Sequence, residues 1–260
     1  MTFGMEHLAE LVSRFYWPFV RVAALFSIAP VIGNPMIPVR IRVIAACLVT
    51  LAIISFTGEM PDVDPLSLEG VLVTARELIV GLSMGLLLLF VFGVFTMAGE
   101  SIAGTMGLGF ALMSDPRSGF QVPVLSQFFN IMATLMFLAL NGHHALFEML
   151  VTSFQLLPVG VGLGAGSYRE VALAGGFIFK GAVMVALPAL ITMLSLNLVM
   201  GVMTRSAPQL NIFSVGFPIT MFFGFLVILV TLPNFVSSTE SLMEYAFSRM
   251  IVVFELAASR

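Results

Sequence analysis

A chain of 260 residues that is 59% hydrophobic and only 10% charged, with a mean hydropathy of +1.09, carries more apolar side chain than a soluble domain can hide from water. It belongs in a membrane. The formal net charge of −3 and the lack of any basic run argue against nucleic acid, and a single Cys47 leaves no disulfide framework and no thiolate metal site.

The opening residues, MTFGMEHLAEL, lack the basic leader region of a cleavable signal peptide, so the first apolar segment is expected to stay as a span. A spanning helix needs about 20 mostly apolar residues. By that measure spans are expected near 15–32, 39–56, 72–98, 124–140, 171–203 and 212–235. The segments 72–98 and 171–203 exceed what a bilayer requires and must tilt or project beyond it. Residues 143–157 form a shorter apolar stretch after Asn141-Gly142, a turn signal, and are expected to fold back on the preceding helix. In the tail 236–260, Ser237-x-x-Glu240 reads as a capping box. Leu242, Ala246, Met250 and Val253 then recur at helical spacing, so a separate amphipathic helix is expected there. The fold class is an all-α integral membrane protein: about six long apolar helices, a short helical hairpin and a C-terminal amphipathic helix.

Lys and Arg placement orients the spans. The loop 57–70 has four acids and no base, whereas Arg40, Arg42, Arg117 and Arg205 fall on one side if six spans are present. That side is the cytoplasm, with both termini outside. Arg14, Arg21, Arg76, Glu77, Glu100 and Lys180 lie within or near apolar segments. Each costs about 2.5–3.5 kcal/mol at the bilayer centre on insertion scales. Arg14 and Lys180 suit span ends, where a long side chain reaches the interface. Arg76 and Glu77 are adjacent and point different ways around a helix, so at least one must meet another helix, in this chain or a partner. With 25 Phe but one Trp and three Tyr, the usual interfacial belts are thin, which favours surface that faces protein. Gly81-x-x-x-Gly85 and the stretch from Gly175-Gly176 to Gly181 permit close helix approach.

The segment GTMGLGFALMSDPRSGFQVP, 104–123, is the least helix-like part of the chain. It has four Gly, two Pro and one charge of each sign, yet it is greasy. From its residues alone it reads either as a closing element or as a re-entrant loop packed between helices.

No catalytic set is evident. His143, His144 and Glu148 do not form the helix-borne H-E-x-x-H pattern and lack a third strong ligand, so they read as interfacial polar residues. Ser195 and Asn197 have no evident base, no paired aspartates sit in spans, and no phosphate-binding loop is present. The expectation is a non-enzyme without cofactor or metal.

Five blocks carry a resemblance: PVIGNPMIPVRIRV at 30–43, ARELIVGLSMG at 75–85, DPRSGFQVPVL at 115–125, NGHHAL at 141–146 and RSAPQLNIFSVGFPITM at 205–221. Their residues and order make the chain similar to the FliR family, whose virulence counterpart is the SctT export-gate protein. The resemblance implies an export-gate subunit of a type III secretion apparatus in the bacterial inner membrane, at the flagellar basal body and projecting toward the periplasm. It implies a helical complex with FliP and FliQ, association with FlhB, and passage of unfolded flagellar proteins through a central pore. It also implies a division into a FliP-like region, 1–165, and a FliQ-like hairpin with its C-terminal helix, 166–260. Within the segment 104–123, Met106, Gly107, Leu108, Gly109, Phe110, Ala111, Leu112 and Met113 are then the pore plug. Unbranched Met fills irregular constrictions, Phe adds bulk, and Gly gives hinge freedom. Arg76, Glu77 and Glu100 become buried charges or interface residues, and Arg205, Pro208 and Gln209 form a cytoplasmic hairpin tip facing FlhB. A SctT-like injectisome subunit is the alternative, and a small-solute transporter with broken helices a more distant one.

Overall fold

The computed structural model describes residues 5–58, 60–61, 63–108, 123–206 and 216–259, with side chains from Arg14 onward. The described residues are helical and contain no strand. In chain order the helices are α1 (Met5–Ile28), α2 (Val39–Ile53, prolonged by a 3₁₀ turn Ile54–Phe56), α3 (Leu68–Thr105), α4 (Val124–Ala139), α5 (Gly142–Leu156), α6 (Ala165–Gly175), α7 (Phe177–Ser206) and α8 (Phe217–Ala258). Four stretches among the described residues are long and apolar enough to cross a membrane: 39–56, 68–105, 165–206 and 217–258. The pair 124–139 and 142–156 makes a fifth if it counts as one broken span. The fold class is therefore all-α and membrane-integral.

One expectation needs correction. The tail is not a separate helix, because α8 runs unbroken from Phe217 to Ala258 through Pro233. Ser237 and Glu240 thus lie inside a helix and form no capping box. The Ser237 hydroxyl instead donates back to the Asn234 carbonyl at 3.1 Å, as Ser does when a helix continues past it. The span expected at 171–203 lies within the stretch 165–206, in which α6 and α7 meet at Gly176. The Asn141-Gly142 turn is present, with Asn141 in the left-handed region at φ 56°, where Asn is among the best tolerated residues.

Contacts divide the chain into two compact units. The first comprises Met1–Phe90, Asn141–Gly176 and Met243–Arg260, and the second Val91–Leu140 and Phe177–Leu242. Each therefore gathers segments far apart in sequence. Helix α3 supplies core to both. In its apolar window 61% of the residues are buried, against 17% for 39–56, 22% for 165–206 and 28% for 217–258. So α3 is an internal helix, and the other three turn most of their apolar surface outward.

In the first unit, α1 and α3 meet at glycines. A Cβ on Gly81 would run into the Arg21 carbonyl oxygen, and one on Gly85 would lie 3.2 Å from the Leu25 carbonyl oxygen and 3.3 Å from the Ala29 nitrogen. The small residues expected to allow close approach thus do so, against backbone. Trp17, Leu25, Phe26, Met84, Leu88, Leu146 and Leu150 fill the space around this crossing. The C-terminal part of α8 is tied to α6 by the Ser167 hydroxyl, which donates to the Val253 carbonyl at 2.8 Å, and by Arg249 on Glu170 at 3.2 Å.

The same unit buries a charge pair. Arg21 on α1 and Glu77 on α3 are both fully buried, and Arg21 Nε donates to Glu77 Oε2 at 2.7 Å. Arg21 Nη1 donates to the Ser153 carbonyl and hydroxyl at 3.0 and 3.1 Å, and Nη2 to the Leu157 carbonyl at 3.0 Å. These carbonyls belong to the C-terminal end of α5, where that of Ser153 also accepts the Leu157 N–H at 2.9 Å and where a cation is favoured. Glu77 Oε1 accepts the Gly160 N–H at 3.0 Å, and the guanidinium lies 4.1 Å over the Phe154 ring. The pair thus fastens α1, α3, α5 and the loop after α5.

The second unit packs around aromatic rings. Phe235 of α8 lies 4.6 Å from Phe95 of α3 and 5.6 Å from Phe129 of α4, and Phe92 lies 5.9 Å from Phe137. Gly181 of α7 sits against Val94 of α3, where a Cβ would come within 2.8 Å.

Two outcomes follow for stability. Gly81→Val should cost at least about 1–3 kcal/mol, because a backbone oxygen cannot move aside, whereas Gly85→Ala should cost less; thermal unfolding in detergent reads both. Removing one member of a buried pair, as in Arg21→Met or Glu77→Leu, should destabilise by about 3–5 kcal/mol. Replacing both charges together should recover part of that loss in the same assay, since no lone charge is left buried.

Candidate functional site

The expected plug starts where α3 ends, and that end is closely specified. Gly107 takes φ 81°, its N–H donates to the Gly104 carbonyl at 3.1 Å, and the Leu108 N–H reaches back to the Ala103 carbonyl at 3.0 Å. This is a Schellman termination, with Gly supplying the left-handed residue. Of the plug residues, Met106, Gly107 and Leu108 are described; Gly109, Phe110, Ala111, Leu112 and Met113 lie outside the described residues.

Met106 is fully buried. It packs on Gly224 of α8, where a Cβ would come within 2.6 Å of its Cγ and Cε. The Thr220 hydroxyl lies 3.3 Å from the Met106 carbonyl oxygen and 3.0 Å from that of Phe217, sharing its one proton between them, and Asn197 Nδ2 of α7 donates to the Thr105 carbonyl at 3.3 Å. Where the chain is next described, Pro123 precedes α4. The first turn of α4 abuts α3 at Gly99, where a Cβ would lie 2.7 Å from Ser126 Cα and 3.0 Å from its nitrogen. Both ends of the segment are thus fastened within about two turns of α3.

The other site residues disperse. Glu77 is buried in its pair with Arg21, so the side chain meets another helix of this chain. Arg76, exposed, donates from Nη1 to the Gly160 carbonyl at 2.9 Å and lays its stem against Gly162. Consecutive residues therefore hold both backbone groups of Gly160. Glu100 is exposed on α3. Arg205 is exposed in the last turn of α7, where its charge complements the helix dipole; Pro208, Gln209 and Arg117 lie outside the described residues.

Sequence reasoning placed Arg21 in an apolar segment without naming its partner, and it overlooked Gly160, Thr220 and Gly224. In the sequence, Asn197 reads only as a polar residue of a span without an evident base. Helical spacing carries no signal for contacts between residues so far apart in the chain.

Chemistry of a catalytic kind finds little here. A cavity of about 200 Å³ in the second unit is lined by Phe128, Phe129, Met184, Pro188, Ile228 and Asn234 among others, and by no titratable side chain. Among the described residues no three His, Cys, Asp or Glu side chains gather to hold a metal. The His143 and His144 rings lie 4.2 Å apart on the turn into α5.

The family profile described as "Bacterial export proteins, family 1" matches residues 12–246. The chain is 34% identical over 261 residues to the flagellar biosynthetic protein FliR of Pectobacterium carotovorum subsp. carotovorum, with all of both chains covered. It is 35% identical over 246 residues to FliR of Escherichia coli (strain K12), covering 94% of this chain and 93% of that one. The surface presentation of antigens protein SpaR of Shigella flexneri is 28% identical over 215 residues, 82% of each chain. A profile match over nearly the whole chain, and relatives of the same length at this identity, place the protein in family 1 of the bacterial export proteins.

Proposed function

We propose that the chain is an export-gate subunit of the flagellar type III secretion apparatus in the bacterial inner membrane. In this reading it forms a helical complex with FliP and FliQ, associates with FlhB, and passes unfolded flagellar proteins through a shared pore. The end-to-end similarity to flagellar FliR proteins carries the proposal. The apolar surface that α2, α7 and α8 leave uncovered fits a chain that completes its packing against other membrane-embedded subunits. Residues 1–165 act as the FliP-like part and 166–260 as the FliQ-like part, with Arg205, Pro208 and Gln209 at the cytoplasmic tip facing FlhB. Arg76 and Glu100, exposed on α3, are available to neighbouring subunits. An assembly that projects toward the periplasm accommodates helices longer than a bilayer, such as α3 and α8.

Residues 106–113 plug the pore. The support is their composition together with the closely held start of the segment at Met106. An apolar stretch fixed at its root can fill a constriction, and an apolar constriction blocks ions by dewetting. The second reading is an injectisome gate, favoured by the similarity to SpaR; its identity is lower than that of the flagellar relatives.

Co-expression tests the assembly. Purified through a tag on this chain, the complex should contain FliP- and FliQ-like chains in unequal numbers, and the chain made alone should be less monodisperse in detergent. The basis is its uncovered apolar surface; Glu77 plays no part, being satisfied internally. A lone, stable monomer that ignores those partners would overturn the proposal. Deleting Phe110–Met113 tests the plug. The assembled variant should admit small dyes that the parent excludes. If the segment is a packed re-entrant loop, the deletion should abolish assembly without a leak, and an intact, sealed complex would count against both.

A further inference from the structure

The end of α3 is satisfied twice. The Schellman turn already accommodates the Gly104 and Ala103 carbonyls, and the next two, those of Thr105 and Met106, are met by side chains from two other helices, Asn197 of α7 and Thr220 of α8, whose hydroxyl is shared with the Phe217 carbonyl. Between these bonds the Met106 side chain enters a notch that exists only because residue 224 lacks a Cβ. A Cβ there would lie 2.6, 2.6 and 2.7 Å from Met106 Cε, Cγ and Sδ. The contact runs along the whole side chain, so turning the terminal methyl away would not relieve it. Gly is a poor residue for a helix interior, and Gly224 shows no left-handed φ that would call for it. Its use here is the space it leaves.

We propose that Met106, seated at Gly224, is the positioning residue for the root of the gate segment, a latch that accepts one register of α8 only. This rests on the plug reading above and adds what holds the plug's origin. One turn along α8 in either direction, the notch is replaced by Thr220 or Ile228. Neither leaves room for the thioether. An unbranched Met threads a narrow notch that a β-branched residue could not enter. A shift of α8 therefore expels Met106 and frees the Thr220 bond together, making release of the root discrete.

The test uses the full chain in its native membrane assembly. In a Cys47→Ser background, Leu108→Cys reports the root through its rate of maleimide labelling. Leu108 is half-buried and directly follows the Gly107 turn. Gly224→Leu should raise that rate several-fold by evicting Met106, and adding Met106→Ala should return it close to the parent value, because the new Leu fills the vacated space. No increase with Gly224→Leu, or an increase that Met106→Ala fails to reverse, overturns the latch. If Gly224→Leu does not accumulate, Gly224→Ala with and without Met106→Ala makes the same comparison with one methyl group. Dye entry measured alongside keeps the two proposals apart. A reversible labelling change with a sealed Phe110–Met113 deletion retains the latch and rejects the plug; a leaking deletion with irreversible labelling does the opposite.

Discussion

The first unit depends on keeping one arginine and one glutamate out of lipid. A lone guanidinium or carboxylate in an apolar interior is expensive enough to dictate the packing around it. Arg21 and Glu77 meet this constraint by facing each other across α1 and α3, and by spending their remaining capacity on the end of α5 and the loop beyond it. The glycine crossing at Gly81 brings the two helices close enough, since a side chain there would strike the Arg21 backbone. Charge pairing and close packing are thus one arrangement.

The second unit is held differently. Tilted and edge-on Phe contacts, a Gly notch and single hydrogen bonds do the work there, and no buried ion pair joins its helices among the described residues. Contacts of this kind are individually weak and geometrically selective. They suit the part of the molecule from which the expected plug departs, where a root has to be well placed without being welded.

How legible this was in the sequence depends on the range of each signal. Membrane class, helical content and the Asn141 turn follow from composition and from residues adjacent in the chain. So does the close approach at Gly81 and Gly85, although the helix that approaches was not identifiable. The Ser237-x-x-Glu240 motif misled, because a capping box and a mid-helix Ser share the same letters and only the backbone distinguishes them. α8 continues through Pro233. The partners of Arg21 and Met106 were invisible for a simple reason. Each lies 56 or more residues away, and nothing local to either residue encodes the other's position. The plug itself came from family resemblance, since composition alone allowed a packed loop equally well.

Arg21 and Glu77 grip their surroundings largely through the main chain: the carbonyls of Ser153 and Leu157 and the N–H of Gly160. Nearly every amino acid offers those groups, so the lock is written in two side chains and read by backbone. Leu157 offers the pair only its carbonyl, so its side chain answers to packing alone, whereas Ser153 adds its hydroxyl. Gly160 is more restricted, since its φ of 92° and its donated N–H exclude proline and penalise any side chain. Freedom of sequence around this core is therefore lopsided, narrow at Arg21, Glu77, Ser153 and Gly160 and wider at Leu157.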